Sequence, residues 1–246
     1  MENQRREQAE ARPFSSGKQT SGSSLSSIWD RSPPKRYFPV FTRIINRNME
    51  KSRLEAFSDG VFAIVITLLI LDIRFPEVEY REFAATLISL LPRILAYVMS
   101  FVIIGLYWVV HHNSMHAMKR IDRGFLWLNI LLLLCVSFIP FPTSLLGRYP
   151  FQAGPIIFYG GTLILCNIIG YIMLVYVHYR PHLAAPEFSK QYLRGHTPVY
   201  IIVNGLYLLA MLLARPLPLI SYVIYVAVIL FLIIFLPKVD DGIKIK

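Results

Sequence analysis

Apolar residues in this chain come in long unbroken runs, not in periodic stripes. The runs lie at 57–71, 94–110, 125–146, 153–177, 199–214 and 217–236, and each holds at most one charged residue. A helix rising 1.5 Å per residue needs roughly 20 residues to cross a hydrocarbon core of about 30 Å. The runs are of that order, and none alternates polar and apolar positions as a barrel strand does. The pattern predicts an all-α integral membrane protein with six transmembrane helices. Composition agrees. The chain has 246 residues, of which 55% are hydrophobic and 16% charged, where a soluble domain carries about a quarter charged residues. The mean hydropathy is +0.50.

The polar punctuation sets the organisation. Residues 1–50 are rich in Arg, Ser, Gly and Gln, the composition of a disordered basic tail. Residues 51–237 form the six-helix domain, and 238–246 form a short tail. No apolar signal core precedes the first run, so the first helix is expected to direct its own insertion.

Charge then orients the bundle, because Lys and Arg are retained on the cytoplasmic side. Eleven fall in 1–56; Lys119, Arg120 and Arg123 follow the second run, Arg180, Lys190 and Arg194 the fourth, and Lys238, Lys244 and Lys246 close the chain. The opposite side holds Arg74, Arg81, Arg148 and Arg215, with Arg93 at the outer entrance of the second helix and the acidic Asp72, Glu77, Glu79 and Glu82. Both termini are therefore expected to be cytoplasmic. The formal net charge of +10 follows from this bias and calls for no nucleic acid. Lys35, Arg36, Arg43, Arg47 and Lys51 approach the bilayer where anionic membrane lipids would meet them.

Polar residues inside spanning segments are costly, which makes their positions informative. Asp59 opens the first run. Trp108, His111, His112, Asn113 and His116 close the second, and Asn129 lies near the same depth in the third. His112 and His116 are four apart, a spacing that zinc sites use, but no cysteine or carboxylate cluster accompanies them. Cys135 and Cys166 both fall mid-run and read as apolar filler. No metal and no cofactor is expected. No Gly-x-Ser-x-Gly, His-Glu-x-x-His or phosphate-cradling loop occurs, so no enzyme is expected.

Arg53 followed by Phe57-Ser58-Asp59 at the head of the first helix is more specific. So are Ala96-Tyr97-Val98-Met99-Ser100-Phe101, Tyr107-Trp108-Val109-Val110-His111-His112 and Pro140-Phe141-Pro142-Thr143-Ser144-Leu145-Leu146. In this order they resemble the endolysosomal-type potassium channel family, in its single-repeat bacterial form, from about residue 50 onward. The resemblance implies a homotetramer in the cell membrane, with the first helices around a central pore and potassium ions as the permeant species. No Thr-Val-Gly-Tyr-Gly filter is present. The family instead presents rings of aliphatic side chains, which counting from Asp59 places on Ile64, Leu68 and Leu71. Thr67 would add a hydroxyl that assists selectivity.

Helical phase tests this placement. At about 100° per residue, Leu68 and Leu71 lie roughly 40° and −20° from Ile64, while Gly60 and Thr67 flank them. Asp59 lies about 140° away, on the side of other helices. This makes Asp59 a structural acceptor for Arg53, Trp108, His111 or Asn129, with Phe57 and Ser58 in the same network. The expected function is a leak-like, potassium-preferring cation channel with a hydrophobic constriction. A proton-conducting channel and a cation transporter of the same architecture are the alternatives. The nearly charge-free midplane disfavours coupled transport. Gly60 and Ala63 are small beside the constriction and leave its radius open.

Overall fold

The computed structural model describes residues 51–242, all of them in helices or the connections between them. The expected tail at 1–50, with Lys35, Arg36, Arg43 and Arg47, lies outside the described residues, as do residues 243–246. Helix α1 (Lys51–Leu68) runs into a 3-10 turn (Leu69–Asp72). A second 3-10 turn (Tyr80–Glu82) and the short α2 (Phe83–Ser89) follow. Then come α3 (Leu91–His116), α4 (Arg123–Phe138), α5 (Pro140–Arg148), α6 (Ala153–His178), α7 (Pro186–Leu213) and α8 (Pro218–Gly242). Six stretches are long and apolar enough to cross a membrane: Lys51–Asp72, Leu91–His116, Arg123–Arg148, Ala153–His178, Ser189–Leu213 and Pro218–Leu236.

The third span is two helices where the sequence pattern suggests one. Pro140 and Pro142 lack the N–H groups that would bond the carbonyls of Val136 and Phe138. The Ile139 N–H closes on Val136 O at 3.1 Å instead, and Thr143 N–H resumes the helical pattern on Ile139 O. The fifth helix starts well before the apolar run at 199, so Lys190 and Arg194 sit in its first turns. It passes through Pro198, which leaves the Arg194 carbonyl without its usual donor. The last helix continues past 237 to Gly242. The short α2 has no apolar run to announce it, and none of its residues is buried.

Helix α6 is the centre of the bundle. Its Ile156, Tyr159, Leu163 and Cys166 are fully buried, packed by α4, α5 and α7. Lipid tails are as apolar as leucine, so such packing depends on close contact and on hydrogen bonds between helices. Ser100 on α3 lies 2.8 Å from the Thr143 hydroxyl on α5 and 3.0 Å from the Tyr159 hydroxyl on α6, tying three helices at one buried point. Tyr225 on α8 donates to Ile156 O at 2.8 Å and meets Tyr159 edge-on.

Two connections are also tied. The Lys119 N–H donates to Leu183 O at 2.7 Å. Asp122 caps α4 by accepting from Phe125 N–H at 2.8 Å, and it also accepts the Tyr176 hydroxyl at 2.9 Å. His182 Nε2 lies 3.4 Å from the same carboxylate. Burial pushes the Asp122 carboxyl up, but the Phe125 amide, the Tyr176 hydroxyl and the His182 ring outweigh it. They hold its pKa below the ordinary 3.8. A carboxyl held low in the folded state stabilises fully above its ordinary range, and that contribution is lost as pH falls through the folded value. Asp122→Ala is expected to cost about 0.5–2 kcal/mol, the usual value of a lost N-cap. It should also weaken the acid-dependent part of the stability profile. Thermal unfolding in detergent, followed from neutral pH into the acid range, checks both.

Candidate functional site

Helix α1 has two unlike faces. Leu54, Ser58, Phe62, Val65 and Leu69 are buried, spaced three and four apart along one stripe against α3 and α4. The opposite face is exposed. Ile64 is 60% and Leu71 62% accessible in the single chain, and Phe57 and Leu68 are exposed with them. Gly60, Ala63 and Thr67 share that side. The three candidate ring residues therefore share one face, but not with a uniform helical twist. The last turn is 3-10, in which residues three apart eclipse, so Leu71 stands above Leu68 rather than on the far side of Ile64. Thr67 Oγ1 donates back to Ile64 O at 2.8 Å. Its proton is thus committed to the helix, and its oxygen lone pairs are left for other partners.

The sides of α1 turned to its neighbours carry polar contacts, of which the Ser58–Asn129 pair is buried. Trp108 Nε1 donates to Asp59 Oδ1 at 2.8 Å, which selects Trp108 among the candidate donors. Asn129 is 0% exposed and faces Ser58, its Nδ2 donating to Ser58 Oγ at 3.1 Å. His111 packs on the Phe62 ring with centroids 5.6 Å apart. Lys51 Nζ reaches His116 O at 3.0 Å, at the end of α3. Arg53 and Phe57 do not join this network. Both are exposed on the Ile64 side of the helix, with Arg53 about 120° round from Asp59, and no ion pair forms between Arg53 and another described residue. His112 and His116 stack on each other at 5.8 Å. Among the described residues no group of three or more His, Cys, Asp or Glu gathers to hold a metal ion.

A second anchor holds the far end of α1. The Ser144 hydroxyl donates to Asp72 Oδ1 at 2.7 Å, and Arg148 Nη2 lies 3.7 Å from the same oxygen. Sequence reasoning grouped Asp72 with the other acidic residues and Arg148 with the loop charges. The Pro-rich motif ending at Leu146 was the only hint that α5 would come back to this point. Helix α1 is thus pinned to its own bundle near both ends, leaving the face that bears Ile64 free of these contacts.

Asn129→Leu is expected to destabilise by about 1–3 kcal/mol, because the Ser58 hydroxyl loses its cross-helix partner among the described residues in a dry setting. Ser58→Ala in the same background should cost little more, and a double-mutant cycle on unfolding in detergent measures the coupling.

These features define an all-α, multi-pass membrane protein in which one pinned helix turns an apolar face away from its bundle. Residues 53–140 match the family model described as the endosomal/lysosomal potassium channel TMEM175. A potassium channel of Chamaesiphon minutus is 37% identical over 171 residues, covering 67% of this chain and 84% of that one. A potassium channel of a Chryseobacterium strain is 41% identical over 126 residues, which is 51% of this chain and 64% of the relative. The crystal structure of a lysosomal potassium-selective channel TMEM175 homolog from Chamaesiphon minutus superposes with a TM-score of 0.66 at 32% identity. It covers 75% of this chain and 97% of that one. The chain belongs to the TMEM175 potassium channel family.

Proposed function

We propose that the protein is a leak-like, potassium-preferring cation channel of the cell membrane, with both termini on the cytoplasmic side. Four chains place their α1 helices around a common axis. Ile64, Leu68 and Leu71 form stacked aliphatic rings, and the Thr67 oxygens offer lone pairs to a partly dehydrated cation. The observation that carries this reading is the pairing of two properties in one helix. Polar contacts from Asp59 and Asp72 hold α1 to its own bundle, while the face bearing Ile64 and Leu71 is exposed. A neck of aliphatic rings is a barrier by dewetting, because water is unstable in a narrow apolar constriction.

The names of the relatives from Chamaesiphon minutus and Chryseobacterium support potassium as the ion. Potassium flux into proteoliposomes should be passive, driven by an imposed voltage and independent of a second ion gradient. Native mass measurement should give four chains. A monomer, or strict coupling to another ion, overturns the reading.

A further inference from the structure

The connection from α3 to α4 (117–122) and the one from α6 to α7 (179–185) lie side by side. The Lys119 and Arg120 N–H groups both donate to Leu183 O, at 2.7 and 3.4 Å. Tyr176, near the end of α6, reaches across to the start of α4. Its hydroxyl donates to Asp122 Oδ2 at 2.9 Å and lies so close to Gly124 that no Cβ fits there. The Arg180 guanidinium stands 5.2 Å from the centre of the same Tyr176 ring. These ties gather Lys119, Arg120, Arg123 and Arg180 at one end of the bundle.

All four cations are exposed, and none forms an ion pair with another described residue. The only carboxylate in the two connections is Asp122. Its oxygens already meet the Phe125 N–H, the Tyr176 hydroxyl and the His182 ring. One engaged carboxylate among four cations leaves a surplus of positive charge with no partner in these connections.

Depth identifies the partner. The cations stand where the spans Leu91–His116, Arg123–Arg148 and Ala153–His178 meet the membrane surface. Trp127 on α4 and Tyr179 after α6 are 68% and 75% exposed beside them, and such rings sit at the level of lipid headgroups. Arg123 and Trp127 are four apart on one face of α4, which continues through the exposed Ile130 and Leu134.

We propose that the paired connections bind the headgroup of an anionic phospholipid. Its phosphate lies among Arg120, Arg123 and Arg180, whose guanidinium forks match phosphate oxygens, while Lys119 adds a mobile ammonium. One acyl chain runs along the Trp127–Leu134 face of α4. Basic clusters at a membrane surface attract anionic lipid in this way. None of these residues lies on α1, so the lipid site and the proposed pore stand or fall separately.

The test uses the full chain in phosphatidylcholine liposomes containing a phosphatidylglycerol with a diazirine in its headgroup. Crosslinks are mapped by peptide mass spectrometry and are expected in 117–124 and 179–185. Unlabelled phosphatidylglycerol should suppress them severalfold, whereas added phosphatidylcholine and inorganic phosphate should not. Arg120→Gln, Arg123→Gln and Arg180→Gln together should lower them severalfold. Arg74→Gln, Arg81→Gln and Arg215→Gln together remove as much charge from exposed positions elsewhere and should leave them unchanged. Equal loss from the two triple variants, or undiminished crosslinking in a folded first variant, overturns the proposal. So does equal competition by phosphatidylcholine. Competition by inorganic phosphate assigns the patch to a free anion and overturns the lipid. Should thermal unfolding show that the first variant does not fold, the competition in the unaltered chain decides by itself.

Discussion

Ile64→Asn is expected to raise potassium flux about tenfold, equivalent to a barrier lower by ~1.4 kcal/mol, and to weaken the preference for potassium over sodium. Ile64 is exposed in the single chain, and its neighbours Gly60 and Ala63 are small. In a four-fold arrangement its side chain would therefore set the narrowest apolar ring on its own. An amide there gives water a hydrogen-bonding surface and removes the dewetting barrier. Ile64→Ala should act in the same direction through width alone. The measurement is flux into proteoliposomes under potassium and sodium gradients, with tetramer content checked by native mass. Unchanged flux in a folded tetramer would take Ile64 out of the conduction path. A Cβ at Gly60 meets nothing within 4 Å, so Gly60→Leu should leave the fold of one chain intact. Reduced flux in that variant would then report on contacts between chains.

The largest effect on folding is expected at Gly147. A Cβ built there lies 2.8 Å from the Arg93 Cα, a backbone atom of α3 that cannot step aside as a side-chain tip can. Overpacking of this kind costs typically 1–3 kcal/mol, and valine adds a second branch to the clash. Gly147→Val should therefore lower thermal stability in detergent and reduce the yield of assembled protein. Gly154→Ala, where nothing lies within 4 Å, is the matched control and should be neutral or slightly stabilising. Equal stability of the two variants would show that α3 and α5 part more easily than their contact suggests. The close approach matters for α1 as well, because α5 carries Ser144 and Arg148, which hold Asp72.

Much of the architecture was legible before any coordinates. Inside a bilayer every backbone hydrogen bond must close within its own segment, so apolar length alone specifies a spanning helix. That is why six runs became six spans, although the single run at 125–146 did not show that the third is divided at Pro140. The phase of α1 was equally local. Residues three and four apart share a face, and the stripe through Ile64, Leu68 and Leu71 is on the exposed side.

Which polar groups meet was a different question. Asp59 had four candidate donors in the sequence and takes Trp108, 49 residues away; Asn129 takes Ser58, 71 residues away. Such pairs depend on how helices cross and on their rotation about their axes, and no period along the chain records either. The same holds for the anchor of Asp72 on α5, and for the two connections that meet at Leu183. The 3-10 turn that moves Leu71 over Leu68 belongs here too, since it comes where α1 meets that anchor. The sequence by itself determined how many helices cross the membrane and which face of α1 is apolar and unpaired. Tertiary packing decided what holds that helix in place, because those contacts exist only once distant segments lie side by side.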